Sequence, residues 1–307
     1  MGMRAVDLFA GAGGLTTGAV AAGVRVLWAA NHWRAAVDAH AANHPEVEHS
    51  CQDLHQANWS RVPRHDLLLA APSCQGHAKA RGKERAHHDA ARSTAWAVVS
   101  CVEAHRPAFG IVENVPEFRQ WVLYPEWCGA LRRLGYSVAE HVVDAADLGV
   151  PQNRVRLLLV LAKSRAPLVL ELPKRPHASI REVIDWSDHA AWKSIRDRRR
   201  PLIPKTLARI EAGRAAHGDR FVVPYYGATR GGRSVDRPIG TLTTRDRYMV
   251  VDRDRARMLS LDEARAAMGF PAGYKLGRTH AASMMMLGNA VVPVVATEMC
   301  EALARAA

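Results

Sequence analysis

A chain of 307 residues, 48% of them hydrophobic, is long enough to bury one large core or a large and a small one, so folding alone presents no difficulty. Its 42 lysines and arginines against 30 acidic residues leave a net charge of +12, which points to a polyanionic partner without separating nucleic acid from a membrane surface or an acidic protein. Five scattered cysteines (Cys51, Cys74, Cys101, Cys128, Cys300), with no CxxC pair and no histidines at zinc spacing, exclude a disulfide framework and a zinc knuckle and predict no metal site.

The opening "RAVDLF" enters strand-like sequence directly, with no charged leader before an apolar core. It leads into "AGAGGLTTG", a turn carrying Gly11, Gly13 and Gly14 ahead of a helix. Glycines there let the backbone turn sharply and approach a nucleotide-like ligand, although a purely structural left-handed turn uses the same residues. The next strand, "VRVLWAA", ends at His32 and Trp33; the indole is placed to cover an adenine ring or to pack on a helix face. Asp53 closes the third strand.

"DLLLAAP" then delivers Ser73 and Cys74 to a strand end, where open α/β sheets bind ligands. A cysteine is most often a small buried hydrophobe; as a nucleophile it needs a lowered pKa, which the following Lys79, Arg81, Lys83 and Arg85 would favour. "FGIVENV" carries Glu113, Asn114 and Val115 at another strand end, and a carboxyl there is either paired or raised in pKa and suited to proton donation. "VPQNRVRLLLV" sets Arg154 and Arg156 on one face if the strand has begun by then, for a phosphate, a carbonyl oxygen or an edge ion pair. Its apolar run, "LLLVLA" at 157–162, falls far short of the ~20 residues of a membrane span, so a cytoplasmic protein with no membrane contact is expected.

Strand and helix alternating through residue 165 predict an α/β fold with a mostly parallel sheet covered on both faces. From 166 to 280 the pattern weakens into Pro, Gly and Arg, and the stretch Lys193 to Arg257 holds 17 lysines and arginines against 7 acidic residues, ten of the twelve net charges. Ser260 and Glu263 fit a capping box. The final "NAVVPVVATEMCEALARAA" reads as a packed helix with Pro293 in its first turn.

"DLFAGAGG", "PSCQG", "ENV", "QNRVR" and "GNAVVP", in this order across essentially the whole chain, resemble the motifs of the DNA (cytosine-5) methyltransferase family. The resemblance implies an S-adenosylmethionine-dependent enzyme with a Rossmann-like catalytic domain (1–165 plus 281–307) and a smaller, irregular target-recognition domain (166–280). Phe9, Gly11, Gly13, Gly14, Leu15, His32, Trp33, Asp53 and Asn289 would hold the cofactor. Cys74 would be the nucleophile, Glu113 the acid, Arg156 the contact to the base and Arg154 the support of its loop. Ser73, Gln75, His77, Asn114 and Val115 would surround a flipped base, and Arg230, Arg233 and Arg245 would meet duplex DNA.

The implied protein is a monomer, acting alone or beside a restriction endonuclease of the same site. Two departures bear on this: Ser73 stands where the family keeps proline, and His32 stands where it keeps an acid on the ribose hydroxyls. RNA as the substrate, or a DNA-binding protein on a scaffold that no longer catalyses, are the alternatives.

Overall fold

The structure, a computed structural model, describes residues 2–73, 92–187, 191–225 and 231–306. Cys74, Gln75, His77, the basic run from Lys79 to Arg85, and Arg230 lie outside the described residues.

The first half alternates as its patterning predicts: β1 (Arg4–Leu8), α1 (Gly14–Ala21), β2 (Arg25–Asn31), α2 (Arg34–Asn43), β3 (Glu48–Cys51) and β4 (Leu67–Ala70). After them come α3 (Trp96–His105), β5 (Phe109–Asn114), α4 (Tyr124–Arg133), β6 (Ser137–Asp144) and β7 (Val155–Ala162). The seven strands form one sheet in the order β3-β2-β1-β4-β5-β7-β6. Neighbours from β3 to β5 run parallel, and the inner strands β1, β2, β4 and β5 are mostly buried and read as largely apolar runs, whereas the edge strand β3 is polar and partly exposed. All four residues of β4 are buried, each large side chain contributing about 2 kcal/mol.

β7 inserts antiparallel between β5 and β6, with Glu113 opposite Leu158. That reversal brings the beginning of β7 to the sheet edge where β1, β4 and β5 end.

A second sheet is antiparallel throughout, in the order β10-β9-β11-β12-β8, from β8 (Lys193–Ser194), β9 (Arg220–Pro224), β10 (Arg233–Ser234), β11 (Tyr248–Asp252) and β12 (Arg255–Met258). Helix α5 (Pro204–His217) packs on it, with Ile210 and Phe221 in a shared apolar cluster. Its other face shares a core with the first sheet, since Val222, Tyr248 and Val250 belong to the same apolar cluster as Leu158 and Val160. Helix α6 (Leu261–Ala267) opens on the expected capping box: Glu263 N–H donates to Ser260 Oγ (3.2 Å) and Ser260 N–H to Glu263 Oε2 (2.7 Å). The same carboxylate accepts from buried Arg257 (2.7 Å).

Helices α7 (His280–Asn289) and α8 (Pro293–Ala306) close the described chain. Residues 280–306 are long and apolar enough to cross a membrane by length and composition, contrary to the count of short apolar runs, but most of that window is buried in the fold. The burial has a clear cause, because α8 lies against α1. A Cβ on Gly18 would sit 2.2 Å from the Pro293 carbonyl oxygen and 2.6 Å from Ala296 Cβ, so only glycine allows this approach. Thr297 fastens it by donating to the Gly18 carbonyl (3.1 Å).

Forcing a methyl between two packed helices costs about 1–3 kcal/mol. Gly18→Ala is therefore expected to lower the unfolding free energy by that amount, seen in urea as a lower midpoint at unchanged slope, whereas Gly129→Ala, with open space around its Cβ inside α4, should not lower the midpoint.

Candidate active site

At the end of β1 the chain turns through Phe9 and Gly11, both left-handed at φ 59° and 56°, and reaches the helix start through Gly13 at φ 95°. Phe9 is not a glycine, so its conformation is strained, as residues at ligand sites often are. The turn is held from below by Tyr274, whose hydroxyl donates to the Ala12 carbonyl (2.6 Å). Gly14 meets the segment between α7 and α8: a Cβ there would lie 2.0 Å from the Val291 carbonyl oxygen.

Above this turn is a cavity of about 290 Å³. Phe9, Gly11, Gly14, Leu15, His32 and Trp33 form one side of its wall, and Ser73, Glu113 and Asn289 join it. The anticipated residues Gly13 and Asp53 are not in that wall. Gly13 shapes the turn behind it. Asp53 caps the short helix Leu54–Gln56, accepting from the His55 N–H (3.0 Å) and bonded to the His55 ring (2.8 Å), and its side chain is 59% exposed. Those His55 hydrogen bonds hold its pKa below the usual carboxylate value.

Sequence reasoning missed Asn31, Met285 and Met286 in the wall. Asn31 accepts from the Trp33 N–H (2.9 Å) and so orients that residue. The methionine run "SMMMLG" just before Asn289 was the available signal.

Glu113 reaches the cavity from the end of β5 and is paired with Arg156, Nε to Oε1 at 2.9 Å, with both side chains largely buried. Burial pushes the Glu113 pKa up, while Arg156 and Arg154 pull it back, and the net direction is up. The carboxyl is thus both paired and raised.

Arg154 departs from the expectation of two guanidiniums on one face. The strand begins only at Val155, and Arg154 is buried elsewhere, donating to the carbonyls of Leu242 (3.2 Å), Gly288 (2.8 Å) and Ala290 (2.8 Å). Gln152, which the sequence reading passed over, is fully buried beside it, accepting from the Leu242 N–H (2.8 Å) and donating to the Ala267 carbonyl (3.2 Å).

The approach to Cys74 is held at the described residues before it. Asn114 donates to the Pro72 carbonyl (3.2 Å) and accepts from the Val115 N–H (2.8 Å). The Ser73 N–H donates to Thr94 Oγ1 (3.1 Å). Arg233 on β10 and Arg245 between β10 and β11 are exposed and away from the cavity wall.

Replacing Arg154 by leucine leaves three carbonyl oxygens without their donor in a buried place. A loss of about 3 kcal/mol or more in unfolding free energy is expected in urea titration, with a smaller loss for Arg154→Lys.

The family model for C-5 cytosine-specific DNA methylase matches residues 3–305. The Type II methyltransferase M.HgiDI of Herpetosiphon aurantiacus is 30% identical over 295 residues, covering 94% of this chain and 90% of that protein. The Type II methyltransferase M1.HphI of Haemophilus parahaemolyticus is 27% identical over 330 residues, covering 99% and 87%. Among solved structures, a mutant of Spodoptera frugiperda DNMT2 superposes with a TM-score of 0.73 at 16% identity, covering 98% of this chain and 99% of that one, a likeness of fold. With the family model spanning both sheets and the cavity between its glycine turn and Glu113, the chain belongs to the C-5 cytosine-specific DNA methylases, enzymes that methylate cytosine at C5 in DNA.

Proposed function

We propose that the chain transfers a methyl group from S-adenosylmethionine to C5 of a cytosine turned out of duplex DNA, with Cys74 as nucleophile and Glu113 as acid. The observation that carries this reading is one cavity wall shared by the strained glycine turn, Trp33, the residue before Cys74, and a buried carboxyl of raised pKa.

The residues present fit the cofactor. A sharp glycine backbone at a helix start suits a nucleotide-like ligand, and Phe9 and Trp33 offer aromatic surface to a purine. His32 and Asn289 offer polar groups to hydroxyls and to the amino-acid end. One ring nitrogen of His32 makes one hydrogen bond where a carboxylate accepts two, so the ribose is held by fewer bonds than an acid would make. When bound, S-adenosylmethionine supplies a methyl group on a positively charged sulfur.

The chain's own residues prepare the base. Cytosine C5 is a poor nucleophile. The Cys74 thiolate adds to C6 while Glu113 gives a proton to N3, and the electron pair released from the C5–C6 double bond makes C5 nucleophilic. Arg156, bonded to Glu113, orients that carboxyl and contacts the base at O2. After C5 has taken the methyl group, a base removes the C5 proton, that C–H electron pair re-forms the C5–C6 double bond as the thiolate leaves C6, and N3 returns its proton to Glu113.

Extruding the base costs a few kcal/mol, which phosphate contacts offset. We assign that work, and the reading of sequence, to residues 166–280, where Arg230, Arg233 and Arg245 lie among the concentrated positive charge. The Type II names of the relatives support an enzyme that acts with a restriction endonuclease of the same specificity.

Tritiated methyl transfer to duplex DNA tests the reading. Cys74→Ala should abolish transfer, and Glu113→Gln should lower the rate by about 10²–10⁴-fold while leaving cofactor binding intact. Full activity in Cys74→Ala would overturn it.

A further inference from the structure

Beneath the glycine turn lies a chain of hydrogen bonds that the reaction above does not use. Asp7, on β1, is completely buried. Its Oδ2 is bonded to Thr16 Oγ1 (2.8 Å), Thr16 Oγ1 to His40 Nε2 (3.1 Å), and His40 Nδ1 to His49 Nε2 (2.8 Å). The first three members are buried and His49, on β3, is half-exposed. The other carboxyl oxygen, Oδ1, is buried with no hydrogen-bond partner among the described residues. Phe9, two residues after Asp7, and Leu15, next to Thr16, both line the cavity, so the bonded pair Asp7–Thr16 belongs to the same two segments that form its wall.

We propose that Asp7 is the residue by which this enzyme distinguishes the cationic, methyl-bearing cofactor from its uncharged spent form, exchanging its proton with water along Thr16, His40 and His49. The proposal rests on the cofactor reading given above.

Two proton arrangements satisfy the same chain of atoms. With Asp7 ionised, His49 Nε2–H donates to His40 Nδ1, His40 Nε2–H to Thr16, and the Thr16 hydroxyl to Asp7. With Asp7 protonated every bond reverses: Asp7 donates to Thr16, Thr16 to His40 Nε2, and His40 Nδ1–H to His49 Nε2. A proton taken from water at His49 moves one proton across each bond and leaves one on Asp7, so atoms and charge balance.

His40 suits a relay, because burial lowers its pKa to about 3 and keeps the ring neutral. Burial raises Asp7 to about 7, against the Thr16 hydrogen bonds, so its charge is undecided near neutrality.

Among the described residues, no other group facing this carboxyl competes for that role. The opposing strand residues, Ala29 on β2 and Leu69 on β4, are apolar. Cys300 on α8 is raised to about 12 and Tyr274 is raised too, both chiefly by burial and further by Asp7, so both stay protonated. The His44 ring lies tilted against His40, centroids 4.9 Å apart, and is bonded to Thr17 (3.0 Å). It is held down by burial despite Glu46, and His49 is likewise held down by burial.

The sign follows from reciprocity. A positive ligand in the cavity favours the carboxylate and lowers the Asp7 pKa, so binding releases a proton, and affinity for the cation rises as pH rises through about 7. An uncharged ligand does neither. Coupling of the usual size, about tenfold, predicts release of about half a proton at pH ~6.5.

Titration calorimetry of the full chain at that pH, in buffers of different ionisation enthalpy, counts protons directly. S-adenosylmethionine should release about half a proton more than S-adenosylhomocysteine with the wild type, and the two should match with Asp7→Asn. Thr16→Val removes a bond that favours the ionised carboxyl, so its proton release should move to higher pH, and this variant decides the matter if Asp7→Asn does not fold. Equal proton release by both ligands in the wild type, or an unchanged difference in Asp7→Asn, overturns the inference while leaving the cofactor reading standing. Binding of neither ligand by folded wild type overturns both.

Discussion

A guanidinium taken out of water must keep its donors satisfied, and the three carbonyls bonded to Arg154 come from two stretches that lie far from it and from each other in the chain. Leu242 lies between β10 and β11 of the second sheet, Gly288 in α7, and Ala290 in the segment that faces the glycine turn. The Arg154 side chain therefore fixes the second sheet and the far wall of the cavity to the start of β7. Close packing reinforces the same junction, since a Cβ on Gly288 would sit 2.4 Å from the backbone of Thr243 and Thr244. Two residues further on, Arg156 holds Glu113. One short stretch of backbone thus sets both the shape of the cavity and the charge beside its acid, which also feels Arg154.

Much of this was legible in the sequence, for reasons that differ by element. The parallel strands announce themselves as buried apolar runs, and the glycine turn follows β1 where a tight strand-to-helix connection requires it. Cavity residues at strand ends, such as Trp33, Ser73 and Glu113, could be placed because an open α/β sheet puts its carboxyl ends on one edge.

What could not be read depends on partners distant in sequence. The antiparallel insertion of β7 is invisible in "VRLLLVLA", which would read the same in a parallel strand, and with it went the separate fate of Arg154. Asp53, which the family resemblance places at the cofactor, also caps the short helix beside it through the His55 N–H, an engagement that its place in the sequence does not announce. The Asp7 chain joins β1, α1, α2 and β3, and nothing in the spacing of Asp7, Thr16, His40 and His49 shows that they meet.

The cavity wall also has a consequence in time. Gly11 and Asn289 face the same space, yet about 280 residues separate them, which at 5–20 residues per second is roughly 15–55 s of synthesis. During that interval the glycine turn, the first strands and the acid have left the ribosome while one wall is still unmade. A DNA methylase built in this way has the last wall of its cavity only once the segment around Asn289 has folded back onto the glycine turn.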